Sequence, residues 1–342
     1  MTSSETIQLQ GADPAFLDLM DRVSALAPLD RPVLVIGERG TGKELIAARL
    51  HFLSQRWGRP LVKLNCAALP ETLIEAELFG VEPGAFTGAT RRRPGRFEQA
   101  DTGTLFLDEI ATLSPTAQET LLRVVEYGEF ERLGGTETLE VDMRVIGATN
   151  RDLPGLAERN EFRADLLDRL SFDVLTVAPL RARGEDVLLL AEHFGRAMAH
   201  ELGWPAFPGF SKRAAAALSA HGWPGNVREL KNVAERAVYH WADPERPVDA
   251  LSFDPFDSPY RPREPEEASL AQAPSHSEKT ESADVLAFPD PPYDFRAKTG
   301  EVEKRLLERA LAAYRYNQRE TAAALSLSYD QLRHAAKKHG LL

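Results

Sequence analysis

A glycine-rich segment that follows an apolar run could bind phosphate groups. Its residues are Gly37, Glu38, Arg39, Gly40, Thr41, Gly42 and Lys43. Glycines allow a backbone to fold tightly around phosphates, and the N–H groups at the start of the next helix then face the negative charge. Lys43 would reach the β- and γ-phosphates of a nucleotide. The segment therefore predicts a P-loop, and the alternative is a glycine-rich turn without a ligand.

The residue after Lys43 departs from the common P-loop pattern. Most P-loops have a serine or threonine at that position to bind Mg²⁺, and this chain has Glu44. We therefore expect Mg²⁺ to depend more on water, on the phosphates and on Asp108.

Two acidic residues, Asp108 and Glu109, end another apolar run, which begins at Leu105. A carboxylate at the C-terminal end of a buried strand lies beside a P-loop, where Asp108 can orient hydrated Mg²⁺. Glu109 is then the candidate base that polarises the attacking water. The alternative is a pair of acids on a solvated turn.

Polar residues also end two further predicted strands. Thr149 and Asn150 would lie beside the same γ-phosphate position, where they could sense the nucleotide or hold the water. Alternatively, they cap the helical segment that follows. Asn65 ends the other strand and could hydrogen-bond Glu109.

Short apolar runs and helical patterns alternate from about residue 13 to residue 177, and these elements would position the polar residues. The predicted strands are Val33–Ile36, Leu61–Asn65, Thr104–Asp108, Arg144–Ala148 and Phe172–Val177, and a helix is predicted over Glu44–Phe52. Strands separated by helices predict βαβ units, and hence an α/β fold with a mainly parallel sheet flanked by helices.

Composition divides the chain into four predicted regions. Residues 1–178 form the nucleotide-binding α/β subdomain, and residues 179–248 form a helical lid because alanine and leucine recur there at helical spacing. Residues 249–295 are rich in Pro, Ser, Glu and Asp, which predicts a flexible linker that is disordered in large part. Residues 296–342 regain helical periodicity and form a C-terminal domain.

Overall composition restricts the class of protein. The 342 residues, 43% hydrophobic and 27% charged, are typical of a soluble chain of two or three domains. A net charge of -11 disfavours non-specific nucleic-acid binding by the whole chain but allows a small local reader of DNA. The single cysteine, Cys66, excludes an internal disulfide, and we expect it to be buried rather than reactive. No signal region or membrane-spanning run is present, so we expect a cytosolic protein.

Two helical patterns joined by Ser326–Ser328 end the chain. The first covers Asn317–Leu325, and the second, Tyr329–His339, is polar and basic. This arrangement predicts a helix-turn-helix that reads DNA, and the alternative is a small pair of interaction helices. The candidates for base edges are Gln331 and Arg333, those for phosphates are Lys337 and Lys338, and Arg319 and His334 complete the predicted DNA-contacting set.

A hexapeptide gives the chain a specific resemblance to a known family. It consists of Gly84, Ala85, Phe86, Thr87, Gly88 and Ala89, with Glu77–Gly80 before it and Pro94–Glu98 after it. Together with the P-loop and the acidic strand end, these motifs resemble the AAA+ domain of bacterial enhancer-binding proteins, the sigma-54-dependent transcriptional activators. The resemblance covers about Ile7–Trp241 and, with the terminal helices, nearly the whole chain.

The resemblance implies that ATP hydrolysis moves this loop against sigma-54. The work would convert the closed promoter complex of sigma-54 RNA polymerase into an open one, while the activator is bound to enhancer DNA. Phe86 and Thr87 would be central to the contact, and Glu44 after the P-loop lysine is ordinary in this family. The residues alone leave two alternatives: glycines bracket a mobile apolar tip, or Phe86 is tucked into the core.

Three arginines complete the resemblance to a ring ATPase. Arg163 and Arg169 lie six residues apart in one predicted helix, so both can face one side. The resemblance implies that they act as arginine fingers on a neighbouring subunit's γ-phosphate, in a homo-oligomer that is a hexamer in this family; the alternative is ordinary surface ion pairs. Arg228 lies in Trp223–Leu230, which matches the family's second sensor motif, and its alternative is a helix-surface salt bridge.

Within the family, the chain is most similar to activators of the phage shock operons. That similarity implies an inhibitory partner, phage shock protein A, for which Trp57 is a candidate contact; the alternative is a half-buried structural tryptophan. The helix over Glu301–Tyr314 resembles the dimerising helix of the Fis type. Two helix-turn-helix domains would then match a DNA site with two-fold symmetry. The rival functions are a P-loop DNA helicase or repair motor, a protease-linked unfoldase and a DNA-binding repressor.

Overall fold

The computed structural model describes residues 9–86, 88–258, 260–261, 294–314 and 317–341, without the side chains of residues 71, 72 and 295–298. The chain divides into two compact units, Met1–Arg261 and Pro262–Leu342, and each is described by itself. Thr87, which the sequence assigns to the sigma-54 loop, lies outside the described residues. So does most of the predicted linker over residues 249–295.

A five-stranded parallel sheet is the centre of the first unit. Its strands are β1 (Val33–Ile36), β2 (Leu61–Asn65), β5 (Thr104–Asp108), β8 (Arg144–Thr149) and β9 (Val174–Thr176), in the order β2-β5-β8-β1-β9. The expected parallel α/β arrangement is confirmed. The last strand is shorter than predicted, and the exposed side chain of Phe172 lies outside it.

Two antiparallel pairs of short strands accompany the sheet. They are β3 (Gly80–Val81) with β4 (Arg93–Pro94), and β6 (Glu129–Glu131) with β7 (Thr138–Glu140). The first pair forms the stem from which the Gly84–Ala89 loop extends. The sequence did not predict either pair, because strands this short leave no measurable alternation of apolar residues.

Seven α-helices accompany the sheet in the described part of the first unit, and three more form the lid. The first seven are α1 (Pro14–Leu26), α2 (Lys43–Phe52), α3 (Glu71–Phe79), α4 (Arg96–Gln99), α5 (Pro115–Tyr127), α6 (Leu153–Glu158) and α7 (Ala164–Leu170). The lid helices are α8 (Gly184–Glu201), α9 (Lys212–Ala220) and α10 (Asn226–Trp241). Local chemistry begins several of them: the side chains of Asp13, Ser114 and Ser211 accept N–H bonds at the starts of α1, α5 and α9.

Alternate residues of β1 face the two sides of the sheet. Leu34 packs into one apolar cluster, and Val33 and Val35 pack into the other. A strand that is buried on both faces needs a continuous apolar run, which is why this sequence forms a central strand. The lid has its own core around the fully buried Trp223, whose indole N–H donates to the carbonyl oxygen of Leu218 at 3.0 Å.

The parallel register brings the predicted site residues to one edge of the sheet. Asn65 pairs with Asp108 across β2 and β5, and Ile36 pairs with Thr149 across β1 and β8. Because the carboxyl ends of parallel strands meet at the same edge, the glycine-rich loop after Ile36 lies beside these residues.

The second unit is a small helical domain. Its described helices are α11 (Phe295–Ala313), α12 (Gln318–Ala324) and α13 (Tyr329–Lys338). Leu307, Ala322 and Leu332 pack together, one from each helix. None of the helices in the described parts of the chain is both long enough and apolar enough to span a membrane.

Candidate functional site

Lys43 is almost completely buried in the glycine-rich loop, with 7% of its surface exposed. Its Nζ donates to the carbonyl oxygens of Gly37 at 2.9 Å and Glu38 at 3.3 Å. Burial lowers the pKa of Lys43, whereas the carboxylates of Glu109 and Asp108 raise it. The lysine is thus held beside both predicted catalytic acids.

The two acids at the end of β5 differ in backbone conformation. The backbone N–H of Glu109 donates to Oδ1 of Asp108 at 3.1 Å. Glu109 itself adopts the left-handed region at φ 54°, which is costly for a residue with a Cβ. Strain of this kind persists where the surrounding structure enforces it, and it is common at active sites.

The predicted hydrogen bond between Asn65 and Glu109 is wrong for this structure. Nδ2 of Asn65 lies 3.5 Å from Oδ2 of Asp108, and its Oδ1 accepts the N–H of Ala67 at 2.9 Å. The sheet register explains the difference, because Asn65 lies opposite Asp108 on the neighbouring strand.

Thr149 joins the β8 end to the glycine-rich loop. Its carbonyl oxygen accepts the N–H of Gly37 at 3.2 Å, and its Oγ1 accepts the N–H of Arg151 at 3.0 Å. Asp152 occupies the N-cap of α6, so the alternative that Thr149 and Asn150 cap that helix is wrong. Asn150 is exposed directly after the strand.

Glu44 follows Lys43 in the first turn of α2. Its carboxylate accepts a hydrogen bond from Nζ of Lys63 on β2 at 2.9 Å, and both side chains are largely exposed. In this structure the residue that replaces the usual serine or threonine is therefore engaged in a surface ion pair.

The lid contacts the outer side of the glycine-rich loop. The backbone N–H of Arg228 donates to the carbonyl oxygen of Gly40 at 3.3 Å, and a Cβ at Gly40 would lie 2.3 Å from the carbonyl oxygen of Gly225. The side chain of Arg228 is exposed. It makes no ion pair with any acid in the described residues, so the alternative of a helix-surface salt bridge is not supported.

The two candidate arginine fingers are placed differently from the prediction. Arg163 lies at the N-cap of α7 rather than inside the helix, because the helix begins at Ala164. It pairs with Asp165 at 2.7 Å, and Arg169 pairs with Glu126. Both guanidinium groups are largely exposed, and within one chain they make the surface ion pairs of the alternative interpretation.

The predicted sigma-54 loop exposes its aromatic residue. Phe86 is 51% exposed, so the alternative that it is tucked into the core is wrong. Gly84 and Gly88 have φ values of 87° and 102°, which favour glycine. The N–H of Gly84 donates to the carbonyl oxygen of Ala89 at 2.8 Å, which closes the base of the loop.

Arg132, which is not among the residues predicted from the sequence, supports this loop. Its side chain is 3% exposed and bonds Glu82 at 2.9 Å and Glu98 at 2.5 Å. The backbone of Leu133 also pairs with that of Gly80 and Glu82, so the β6–β7 hairpin supports the loop stem. No sequence signal distinguishes Arg132 from a surface arginine, because its partners lie 34 and 50 residues away.

Two further predictions concern single residues. Trp57 is 67% exposed, so the alternative of a half-buried structural tryptophan is wrong. Cys66 is buried, as expected, and burial raises the pKa of its thiol to about 12. A thiol in that state is not a nucleophile near neutral pH.

The predicted recognition helix α13 presents an exposed basic face. Arg333 and Lys337 are exposed and lie one turn apart. Lys338 donates to Glu303 at 2.8 Å. Gln331 is exposed as well, and its Oε1 accepts the N–H of Ser328 at 2.8 Å in a capping box. Arg319 and His334 are also exposed.

A parallel sheet with a buried P-loop lysine, an acidic strand end and a helical lid defines a P-loop ATPase of the AAA+ class. Three family models match the chain: the sigma-54 interaction domain over residues 9–176, the AAA+ ATPase lid domain over residues 181–267, and the bacterial regulatory protein, Fis family, over residues 299–339. The chain belongs to the sigma-54-dependent transcriptional activators.

Similar proteins include an operon activator and a regulatory protein. The Psp operon transcriptional activator of Escherichia coli (strain K12) is 52% identical over 331 residues, which cover 97% of each chain. The Nif-specific regulatory protein of Azotobacter vinelandii is 48% identical over 72% of this chain and 47% of its own length. This chain therefore spans nearly all of the first relative and about half of the second.

Solved structures of a similar protein have the same fold and contain an adenine nucleotide. NtrX from Brucella abortus in complex with ADP is 31% identical, with a TM-score of 0.68 over 98% of this chain and 70% of that one. The same protein in complex with ATP gives a TM-score of 0.67. The chain is thus an ATPase and a DNA-binding activator that acts on sigma-54, and the helicase alternative receives no support from these comparisons.

Proposed function

We propose that this activator opens promoters of a psp operon. The observation that carries the proposal is the 52% identity to the Psp operon activator, which extends over 97% of both chains rather than over the ATPase domain alone. The inhibitory partner would be phage shock protein A, with the exposed Trp57 as its contact. A DNA-bound activator works beside the chromosome, so we propose the cytoplasm as its location.

Open-complex formation in a purified system tests the operon assignment. The chain, ATP and sigma-54 RNA polymerase are mixed with a psp promoter or with a nif promoter, each supplied with its own upstream DNA, and melted DNA is detected by permanganate reactivity. We expect melting at the psp promoter. Melting at the nif promoter alone would overturn the operon assignment but keep the chain in its family.

The nucleotide site is proposed to work through four groups. Lys43 and the N–H groups of the P-loop bind the β- and γ-phosphates, Glu109 polarises the attacking water, and Thr149 helps to place it. The residues fit Mg²⁺, because Mg²⁺ is commonly held by one or two carboxylates together with phosphates and water, and Asp108 supplies a carboxylate beside Lys43. When bound, Mg²⁺ would neutralise charge on the β- and γ-phosphate oxygens.

A short structural connection from Glu109 supports the proposal that ATP hydrolysis moves the Gly84–Ala89 loop. The 3-10 helix Ile110–Thr112 follows Glu109 directly, and Ser114 follows that helix. Oγ of Ser114 donates to Oε1 of Glu75 on α3 at 2.6 Å. Because α3 leads directly into β3, the loop stem, a shift at Glu109 can move the loop that carries Phe86.

The arginine fingers are proposed to act between subunits of a hexamer. Arg163 and Arg169 would exchange their partners Asp165 and Glu126 for the γ-phosphate of a neighbour. We expect that Arg169→Ala alone and Lys43→Ala alone are both inactive in ATP turnover, and that their mixture regains activity. The Lys43→Ala subunits supply intact fingers to the intact phosphate loops of the Arg169→Ala subunits.

Steady-state phosphate release across a series of mixing ratios provides the measurement, with wild type mixed with each variant as the control. Recovery should be greatest at intermediate ratios. A mixture that never exceeds the sum of its two separate components would contradict action in trans.

The C-terminal helices are proposed to bind enhancer DNA as a pair. Lys337→Ala should weaken binding to all DNA sequences alike, because one phosphate contact is lost. The slope of log K against log salt concentration should become shallower by about 1. Arg333→Ala should cost about 1–3 kcal/mol on the cognate site and relax base discrimination. Fluorescence anisotropy at several salt concentrations separates the two effects. If Arg333→Ala loses the same affinity for cognate and for random DNA, Arg333 does not contact a base.

The domain boundaries are likewise proposed as 1–178, 179–248, 249–295 and 296–342. The family models end or begin near two of these boundaries: at residues 176 and 181 around the first, and at residue 299 near the last. The lid model extends to residue 267, which is beyond the proposed start of the linker.

A further inference from the structure

Asn226 joins three separate parts of the ATPase domain through one buried side chain. Its Oδ1 accepts the N–H of Leu180, at the connection between the sheet and the lid, at 2.8 Å. Its Nδ2 donates to Oε2 of Glu38 at 3.1 Å and to the carbonyl oxygen of Arg39 at 3.0 Å. Asn226 is completely buried and begins α10 at φ 53°, a conformation that asparagine tolerates better than most residues.

The bonds to Arg39 and Gly40 orient peptide planes of the phosphate loop. In a planar trans peptide, the C=O and the following N–H point in opposite directions. Asn226 holds the C=O of Arg39, and the N–H of Arg228 holds the C=O of Gly40. The N–H groups of Gly40 and Thr41 are thereby turned away from the lid.

These N–H groups have no acceptor among the residues that the structure describes. Backbone donors are rarely left unpaired in a protein interior, and consecutive N–H groups that point to one side form an anion-binding nest. Two further loop carbonyls are held from within the loop: Lys43 donates to those of Gly37 and Glu38, and Oγ1 of Thr41 donates to that of Glu38 at 2.9 Å. The carbonyls from Gly37 to Gly40 thus all accept hydrogen bonds, and the N–H groups of Gly40 and Thr41 remain for a phosphate.

Glu38 adds an ion pair between the phosphate loop and the sheet–lid connection. Arg181 donates to its carboxylate through both terminal guanidinium nitrogens, at 2.8 and 2.5 Å. Arg181 and then Asn226 lower the pKa of Glu38 to about 2, so the carboxylate is charged near neutral pH. The glycine-rich loop, the sheet–lid connection and α10 are therefore linked by one set of bonds with Asn226 at its centre.

We propose that Asn226 is a positioning residue for nucleotide phosphates: it fixes the peptide planes of the phosphate loop from the lid side, so that the phosphate-binding form of the loop requires a docked lid. The proposal rests on the nucleotide site proposed above. The hydrogen bonds of its side chain go to the loop and to Leu180, so we expect it to contribute equally to every state of the bound phosphates. Its loss should weaken ATP and ADP alike and leave the chemical step intact.

Nucleotide binding by the full chain tests this role. Isothermal titration calorimetry with ADP, and with ATP in a Glu109→Gln background, gives the affinity and the stoichiometry; ATP turnover gives KM and kcat. We expect Asn226→Gly, which keeps the backbone conformation, to raise both Kd values and KM about tenfold, since two hydrogen bonds to the loop are lost. The value of kcat at saturating ATP should stay close to that of wild type.

Asn232→Ala, an exposed asparagine on the same helix, is the matched control and should change neither constant. Asn226→Asp keeps the shape and the acceptor for Leu180 but places a carboxylate against Glu38, so it should weaken binding further. Adding Glu38→Gln should restore part of that loss, because an amide at position 38 can donate to the new carboxylate. This recovery needs no assumption about the stability of Asn226→Gly.

Each result has a defined meaning. A purely structural role would lower the melting temperature and the calorimetric stoichiometry without changing Kd, and that outcome would overturn the proposal. A fall in kcat with unchanged KM would overturn it as well. Lys43→Ala separates this inference from the site itself: if that variant still binds ADP like wild type, the proposed nucleotide site is wrong, whereas loss in Lys43→Ala with wild-type binding in Asn226→Gly refutes only the role of Asn226.

Discussion

Replacing Glu109 with glutamine is expected to lower the kcat of ATP hydrolysis by about 10⁴-fold, at the upper end of what general base catalysis contributes. Glutamine has nearly the same shape as glutamate but cannot accept the proton of the attacking water. The left-handed backbone of Glu109 holds its side chain at the end of β5, beside the buried Lys43. The change should therefore remove the chemistry and leave the phosphate contacts in place.

Two measurements separate these contributions. Phosphate release gives kcat, and calorimetric titration with ATP gives an affinity that should remain close to that of wild type. Glu201→Gln, an exposed glutamate at the end of α8, makes the same chemical change far from the site in sequence and should retain full turnover. Glu109→Gln protein that still hydrolyses ATP at a tenth of the wild-type rate would exclude Glu109 as the base, since general base catalysis contributes about 10²-fold or more.

The sequence predicted the sheet because its strands are short segments rich in apolar residues and separated by helical patterns. Val33–Ile36, Leu61–Asn65 and Thr104–Asp108 have the predicted bounds. The β6–β7 hairpin was missed because Glu129–Glu131 and Thr138–Glu140 each contain a single apolar residue, which is too short a pattern to predict a strand. It forms because Phe130 is buried and because Arg132 bonds Glu82 and Glu98.

The candidate site was predictable at the level of motifs but not of contacts. Asn65 was assigned to Glu109, and the register of β2 against β5 places it opposite Asp108 instead. The bond from the N–H of Ser328 to the amide oxygen of Gln331 was not predicted either. Asn226 bonds Glu38, which is 188 residues away, and no local pattern encodes a contact at that separation.

The second large effect concerns the exposed tip of the sigma-54 loop. Phe86→Ala should abolish open-complex formation while ATP turnover continues. An aromatic side chain that is half exposed on a loop closed by two glycines is suited to fill an apolar pocket on a partner, and truncating such an anchor removes most of the binding energy. Lys43, Glu109 and the lid belong to other elements, so the hydrolytic site should remain complete.

Three measurements on the same preparation test this prediction: phosphate release, retention of sigma-54 on the nucleotide-bound activator, and permanganate reactivity of the promoter. Phe256→Ala is the control, because Phe256 is 66% exposed in the same unit but lies outside the loop, and it should keep all three activities. Phe86→Leu should retain part of the activation, since an apolar side chain still fills the pocket. If Phe86→Ala melts promoters as well as wild type does, sigma-54 is driven by another surface; if it loses ATP turnover as well, Phe86 supports the ATPase rather than the contact.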